Sequence, residues 1–170
     1  MKPIVIIGPM GSGKSSVAPI LGAILKLAWV DLDTEIEMEC GKSIPDIFRI
    51  EGEAVFRSKE LAVFQRLIQD TKFGVIVTGG GAPCCADFWQ LKDQFHSVWL
   101  NVSRDVLWTR LSHNLDRRPL LANSEDPEAT MRQLLITRKH YYSQAEMEIA
   151  VLTSFEKAQK TAERIAAKLA

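Results

Sequence analysis

Residues 8–15 read Gly8-Pro9-Met10-Gly11-Ser12-Gly13-Lys14-Ser15, and their flanks decide the fold. An apolar run, Ile4-Val5-Ile6-Ile7, precedes them. Apolar residues at helical spacing follow: Val17, Ile20, Leu21, Ile24 and Leu25. Strand, glycine-rich loop and helix is the setting in which a G-x-x-x-x-G-K-[ST] stretch binds phosphate. Glycines let backbone N–H groups turn inward around a polyphosphate, and the helix N-terminus adds partial positive charge. Lys14 can then reach the outer phosphates, and Ser15 can hold Mg2+. The candidate nucleotide-binding residues are Gly11, Ser12, Gly13, Lys14, Ser15 and Ser16.

Outward from this loop, short apolar runs predict strands at Ile4–Ile7, Leu27–Val30, Gly74–Val77, Val98–Val102 and Ile149–Leu152. Helical patterns lie between them, so an α/β domain with a mostly parallel sheet is expected. Ser43 and Pro45 open a short helix over Ile44–Ile50. Longer helices are expected over about Gly52–Gln69, Arg104–Leu115 (capped by Ser103) and Pro127–Glu146, with a last one capped by Ser154. Residues 115–126 are polar and aperiodic and read as a mobile loop. Pro19 lies past the first turn of the first helix. It removes a backbone hydrogen bond at a usual cost of about 3 kcal/mol, so a bend or irregular turn is expected near Ser15–Pro19.

At 170 residues, with 46% apolar and 25% charged residues, the chain reads as one compact domain. The formal net charge is zero, which argues against nucleic acid or an anionic membrane as partner. No apolar stretch is long enough to span a bilayer. The chain enters its first strand almost at once, so no signal or transit peptide is expected. Cys40, Cys84 and Cys85 have no zinc-site spacing and form no disulfide framework, which suits a reducing, cytoplasmic setting.

Ligands of parallel sheets bind beyond the carboxyl ends of the strands, and the informative residues fall there. Asp31-Leu32-Asp33 ends the second strand, where strand alternation would put both carboxylates on one side. One can serve Mg2+, directly or through water; one can take a proton from a substrate hydroxyl. In Gly52-Glu53-Ala54-Val55-Phe56-Arg57-Ser58-Lys59-Glu60, helical spacing aligns Glu53, Arg57 and Glu60. Glu60 can orient Arg57 as a fork for a carboxylate; an exposed ion-pair ladder is the plainer alternative. Thr78-Gly79-Gly80-Gly81 follows the third strand, and three glycines suit close backbone approach to a ligand. Arg138 lies on the apolar stripe defined by Met131, Leu134, Leu135, Tyr141, Tyr142 and Ala145. A cation there must pair with a structural carboxylate, bind an anionic ligand, or snorkel to the surface. Arg117 or Arg118 in the loop could close over a γ-phosphate, and Arg110 could stack on a base.

Together these segments resemble the shikimate kinase family over nearly the whole chain. The resemblance rests on GPMGSGKS at 8–15, DLD at 31–33, GEAVFRSKE at 52–60, GGG at 79–81, RRPLL at 117–121 and the Arg138…Tyr142 pair. It implies a P-loop, nucleoside-monophosphate-kinase-like three-layer fold: a five-stranded parallel sheet in order 2-3-1-4-5 with helices on both faces. It implies a single kinase domain over 1–170, with a shikimate-binding region at about 33–61 and a lid loop at about 112–126. The implied reaction is ATP plus shikimate to ADP plus shikimate 3-phosphate, in aromatic amino-acid biosynthesis. In that likeness Lys14 holds phosphates, Ser15 and Asp31 (through water) serve Mg2+, and Asp33 engages the attacking hydroxyl. Arg57, oriented by Glu60, and Arg138 clamp the shikimate carboxylate, with backbone contacts from Gly79, Gly80 and Gly81. Arg118 is the lid arginine, catalytic and ATP-binding, Arg117 is extra, and Arg110 lies beside adenine. ATP and shikimate are the implied partners of a monomer.

The chain departs from the family pattern at Val77, Pro83, Cys84-Cys85 and Pro19. A gluconate kinase would not need Arg57 and Arg138. A non-catalytic relative would be expected to lack Lys14, Asp33 or one arginine. A regulatory GTPase would carry a guanine-specific Asn-Lys-x-Asp motif, which is missing here.

Overall fold

In the computed structural model, residues 2–113, 121, 124–151, 153 and 156–169 are described. Five strands, β1 (Ile4–Ile7), β2 (Trp29–Asp31), β3 (Val75–Val77), β4 (His96–Val102) and β5 (Met147–Val151), form one sheet in order β2-β3-β1-β4-β5. Every pairing is parallel, with Ile6 opposite Val77 and Val98, and Ile7 opposite Trp99. The helices are α1 (Lys14–Leu25), α2 (Leu32–Cys40), α3 (Ile44–Glu51), α4 (Glu53–Gln69), α5 (Ala86–Gln90), α6 (Arg104–Leu111), α7 (Pro127–Tyr142) and α8 (Ala158–Leu169). This is the three-layer α/β architecture and strand order expected from the sequence.

β1 is apolar at every position because both faces of the sheet are covered. Val5 and Ile7 point to one face, with Ile36, Ile47, Phe56, Phe64 and Tyr142. Ile4 and Ile6 point to the other, against Val17, Ala18 and Leu21 of α1 and Ala162 and Ile165 of α8. A third apolar cluster, including Val102, Leu107, Leu111, Leu121 and Met131, lies at the carboxyl ends of β4 and β5. Since β1 is central and β3 is its neighbour, the loops after them, 8–13 and 78–81, lie side by side.

Several expectations are corrected. β2 is Trp29–Asp31 rather than Leu27–Val30. Asp33 does not continue that strand, because α2 begins at Leu32. Asp31 is its N-cap and accepts a hydrogen bond from the Asp33 N–H at 3.0 Å. The capping geometry, and not strand alternation, therefore brings the two carboxylates together. α1 is helical without interruption through Pro19, so of the expected bend or irregular turn the irregular turn does not form. The proline denies the helix one backbone donor but not its continuity. α6 ends at Leu111 rather than Leu115, and α7 at Tyr142 rather than Glu146. The residues after α7 turn at once into β5. α8 begins at Ala158; Ser154, Arg117 and Arg118 lie outside the described residues.

Candidate active site

The phosphate loop is shaped by backbone. Gly13, at φ 94°, is the N-cap of α1, a left-handed conformation that a side chain would resist. It turns the chain so that Lys14 is the first helical residue. The Lys14 ammonium folds back over the loop, donating to the carbonyls of Gly8 and Pro9, each at 2.9 Å. A cavity of about 500 Å3 opens beside it, lined by Gly11–Ser16 and by Asp31, Asp33, Gly79 and Gly80. Its other end is formed by Arg110, Val151, Glu156, Ala158 and Thr161. All six candidate loop residues and Arg110 thus line one cavity, next to the acidic pair.

Ser15 donates its hydroxyl to Asp31 Oδ2 at 3.0 Å. Serine from the first turn of α1 and carboxylate from the end of β2 present oxygens to one point at the rim of the phosphate loop. That donor set suits a hard cation such as Mg2+, which takes few protein ligands and completes its octahedron with phosphate and water.

Asp33 is held in the first turn of α2, against the glycine run. A Cβ built on Gly79 would come within 2.9 Å of Asp33 Oδ1. Burial pushes the Asp33 carboxyl up to about 6, and the neighbouring Asp31 carboxylate adds to the rise. Lys14 and Arg57 oppose it. A carboxylate with a pKa near 6 ionises at neutral pH yet keeps enough basicity to take a proton.

Arg57 projects from α4 and donates to Glu60 Oε2 at 2.7 Å and to Glu53 Oε1 at 3.3 Å. Its guanidinium carbon also lies 5.2 Å from the centre of the Phe56 ring and 6.0 Å from that of Phe48. Glu60 is buried, so this is not a surface ladder. Burial raises the Glu60 pKa, with Arg57 opposing; burial also works against the Arg57 charge, but Glu60 and Glu53 outweigh it and keep Arg57 protonated. A Cβ on Gly81 would meet the Arg57 guanidinium at 2.6–2.9 Å. A Cβ on Gly80 would lie 3.5 Å from Arg138 Nη1. Arg138 is half-buried on α7 and carries no ion pair among the described residues. The glycine run is therefore a floor on which Asp33, Arg138 and Arg57 rest in succession. Close approach explains its composition, since Gly79, Gly80 and Gly81 all lack a positive φ.

Arg110 donates to the carbonyls of Gly11 at 3.3 Å, Ser12 at 3.4 Å and Thr153 at 3.5 Å, strapping the loop to the segment after β5. Two further residues carry roles the sequence reading missed. Tyr142, part of an apolar stripe and paired with Arg138 in the family likeness but given no role of its own, donates its hydroxyl to the Gly80 carbonyl at 2.6 Å. Glu156, within the helix expected after Ser154 and not singled out there, lines the cavity and accepts from Thr161 Oγ1 at 3.1 Å and Arg164 Nη1 at 2.9 Å. Pro83 and Cys84 lie in a 3-10 turn over Ala82–Cys84 that carries the chain out of the glycine run.

A nucleotide loop on the central strand of a 2-3-1-4-5 parallel sheet, facing an acidic pair and two arginines, is the arrangement of a P-loop small-molecule kinase. The shikimate kinase family model matches residues 10–170. The shikimate kinase of Flavobacterium johnsoniae is 39% identical over 155 residues, 89% of this chain and 90% of that protein. That of Bordetella pertussis is 39% identical over 143 residues, 84% of this chain and 66% of that longer protein. A solved shikimate kinase from Acinetobacter baumannii in complex with shikimate superimposes with a TM-score of 0.90 at 34% identity, covering 99% of this chain and 93% of that one. The chain belongs to the shikimate kinase family. A gluconokinase from Sinorhizobium meliloti, at 18% identity and a TM-score of 0.53, shares the fold alone (99% of this chain, 95% of that one).

Proposed function

We propose that this chain transfers the terminal phosphoryl group of ATP to the 3-hydroxyl of shikimate, giving shikimate 3-phosphate and ADP on the route to chorismate and the aromatic amino acids. The observation that carries the substrate assignment is the convergence of Arg57 and Arg138, from two separate helices, on one glycine run. Two charge-assisted clamps of about 1.5–3 kcal/mol each suffice to favour a small carboxylate over uncharged polyols.

In this reading the phosphate loop and Lys14 cradle the ATP phosphates, and Arg110 lies beside the adenine. Arg118 serves as the lid arginine that closes over the γ-phosphate. Ser15 and Asp31, the latter through water, would hold Mg2+, which would supply charge neutralisation at the ATP phosphates. Asp33 accepts the hydrogen bond of the 3-hydroxyl and takes its proton as the oxygen–phosphorus bond forms and the bond from phosphorus to the β–γ bridging oxygen breaks. Arg57 and Arg138 hold the carboxylate at the far side of the ring, which fixes the attacking oxygen in line. The reading has the protein act as a monomer in the cytoplasm.

A coupled ADP-release assay with shikimate, quinate and gluconate tests the assignment. Turnover is expected with shikimate above both others. Turnover with gluconate and none with shikimate would overturn it.

A further inference from the structure

Tyr142 ends α7 with its side chain almost fully buried, the ring centre 6.0 Å from that of Trp99. A buried phenol needs a hydrogen-bond partner, and here the partner is the Gly80 carbonyl at 2.6 Å. Cys84 Sγ, 4.0 Å from the same oxygen, is a weak second donor. The choice of partner has a geometric consequence. The Gly80–Gly81 peptide is trans, so it is planar with its C=O and N–H pointing in opposite directions. Anchoring the Gly80 carbonyl on Tyr142 therefore points the Gly81 N–H out of the opposite edge of that plane, away from the Tyr142 hydroxyl. Among the described residues this N–H donates to no backbone or side-chain acceptor. Gly81 is also the glycine against which the Arg57 guanidinium rests. Left to itself, a run of three glycines would populate several peptide orientations.

We propose that Tyr142 is a positioning residue of the acceptor site: its hydroxyl locks the Gly80–Gly81 peptide so that the Gly81 N–H faces the acceptor's carboxylate between Arg57 and Arg138. This rests on the reading that the carboxylate binds between those arginines. Arg138 sits one helical turn before Tyr142, so a single helix end carries both the charge and the lock. Burial pushes the phenol up to about 12, while the Arg138 cation beside it pulls the other way. The hydroxyl is therefore a donor throughout the working pH range.

Tyr142→Phe keeps the ring and deletes the lock. Its KM for shikimate is expected to rise roughly five- to tenfold, with kcat and the KM for ATP within about twofold of the parent. A hydroxyl that serves only packing would leave the KM for shikimate alone, or move all three parameters together with the melting temperature; either result overturns the proposal. Arg138→Ala is measured alongside. If it raises the KM for shikimate and Tyr142→Phe does not, the arginine clamp stands and the lock falls. If neither raises it, the clamp reading falls and takes the lock with it. Should Tyr142→Phe not fold, amide NMR of the unsubstituted protein decides: shikimate should move the Gly81 amide proton downfield and leave that of Gly79 nearly in place. An unmoved Gly81 amide would overturn the proposal.

Discussion

The two ends of the active-site cleft are built on different principles. The phosphate end is continuous in sequence: loop 8–13 and the first turn of α1 supply its backbone donors, with Lys14 clamped on the loop's own carbonyls. The acceptor end is discontinuous. Asp33 comes from α2, Arg57 from α4, the glycine floor from the end of β3 and Arg138 from α7. A polyphosphate is common to many kinases, so one local device serves them all. A small acceptor must be distinguished from its relatives, and that requires side chains brought from separate elements by tertiary packing.

Substitutions sharpen that contrast, and the largest effect is expected at Asp33. Asp33→Asn should lower kcat roughly 10²–10⁴-fold while leaving nucleotide affinity nearly intact. In the parent, kcat/KM should fall as pH drops through about 6, where Asp33 gains its proton. Stability should run the other way. The folded pKa lies above the unfolded value of 3.8, so the stability linked to this group is fully present below 3.8 and lost as pH rises through 6. At pH 8, Asp33→Asn should therefore be more stable than the parent, by up to about 3 kcal/mol in denaturant titration. Loss of ATP affinity in this variant would place Asp33 in the phosphate end and break the division.

Within the acceptor end, the two arginines should differ from each other. Both alanine variants should raise the KM for shikimate at least tenfold, on the order of one lost clamp. Only Arg57→Ala should also cost stability, about 3 kcal/mol, because it leaves the buried Glu60 carboxyl without its cation. Arg138 has no carboxylate partner among the described residues, so Arg138→Ala should unfold near the parent's midpoint. Equal destabilisation by both would mean that Arg138 is structural too.

The phosphate end could be read directly from residues 8–15, because strand, loop and helix are all local. The strand order and three-layer fold followed from the family likeness, as the parallel sheet followed from the alternation of apolar runs and helical patterns. The residues proposed for the acceptor were each visible as local oddities: an arginine on an apolar stripe, a triple glycine, a paired carboxylate. What local pattern could not supply was their contacts. Arg138 had three possible fates until α7 was seen to deliver it to Gly80. Asp31-Leu32-Asp33 was misread as strand because the N-cap role of Asp31 opens a helix with few apolar residues, only Leu32 and Ile36 being buried. Pro19 pointed to a bend or irregular turn, yet α1 stays helical across it, with Val17, Ala18 and Leu21 packed on the sheet. By local pattern alone Tyr142 reads as core, and its pairing with Arg138 in the family likeness carries no contact, because burial and hydrogen bonding use the same side chain in different directions.

The account turns on a carboxylate held between Arg57 and Arg138. Comparing initial rates with shikimate and with its methyl ester tests that directly, since the ester keeps the ring and the 3-hydroxyl but removes the charge. The KM for the ester should be on the order of 10²–10⁴ times higher, with the KM for ATP unchanged. An ester that is phosphorylated as readily as shikimate would contradict the clamp and with it the assignment of the acceptor end.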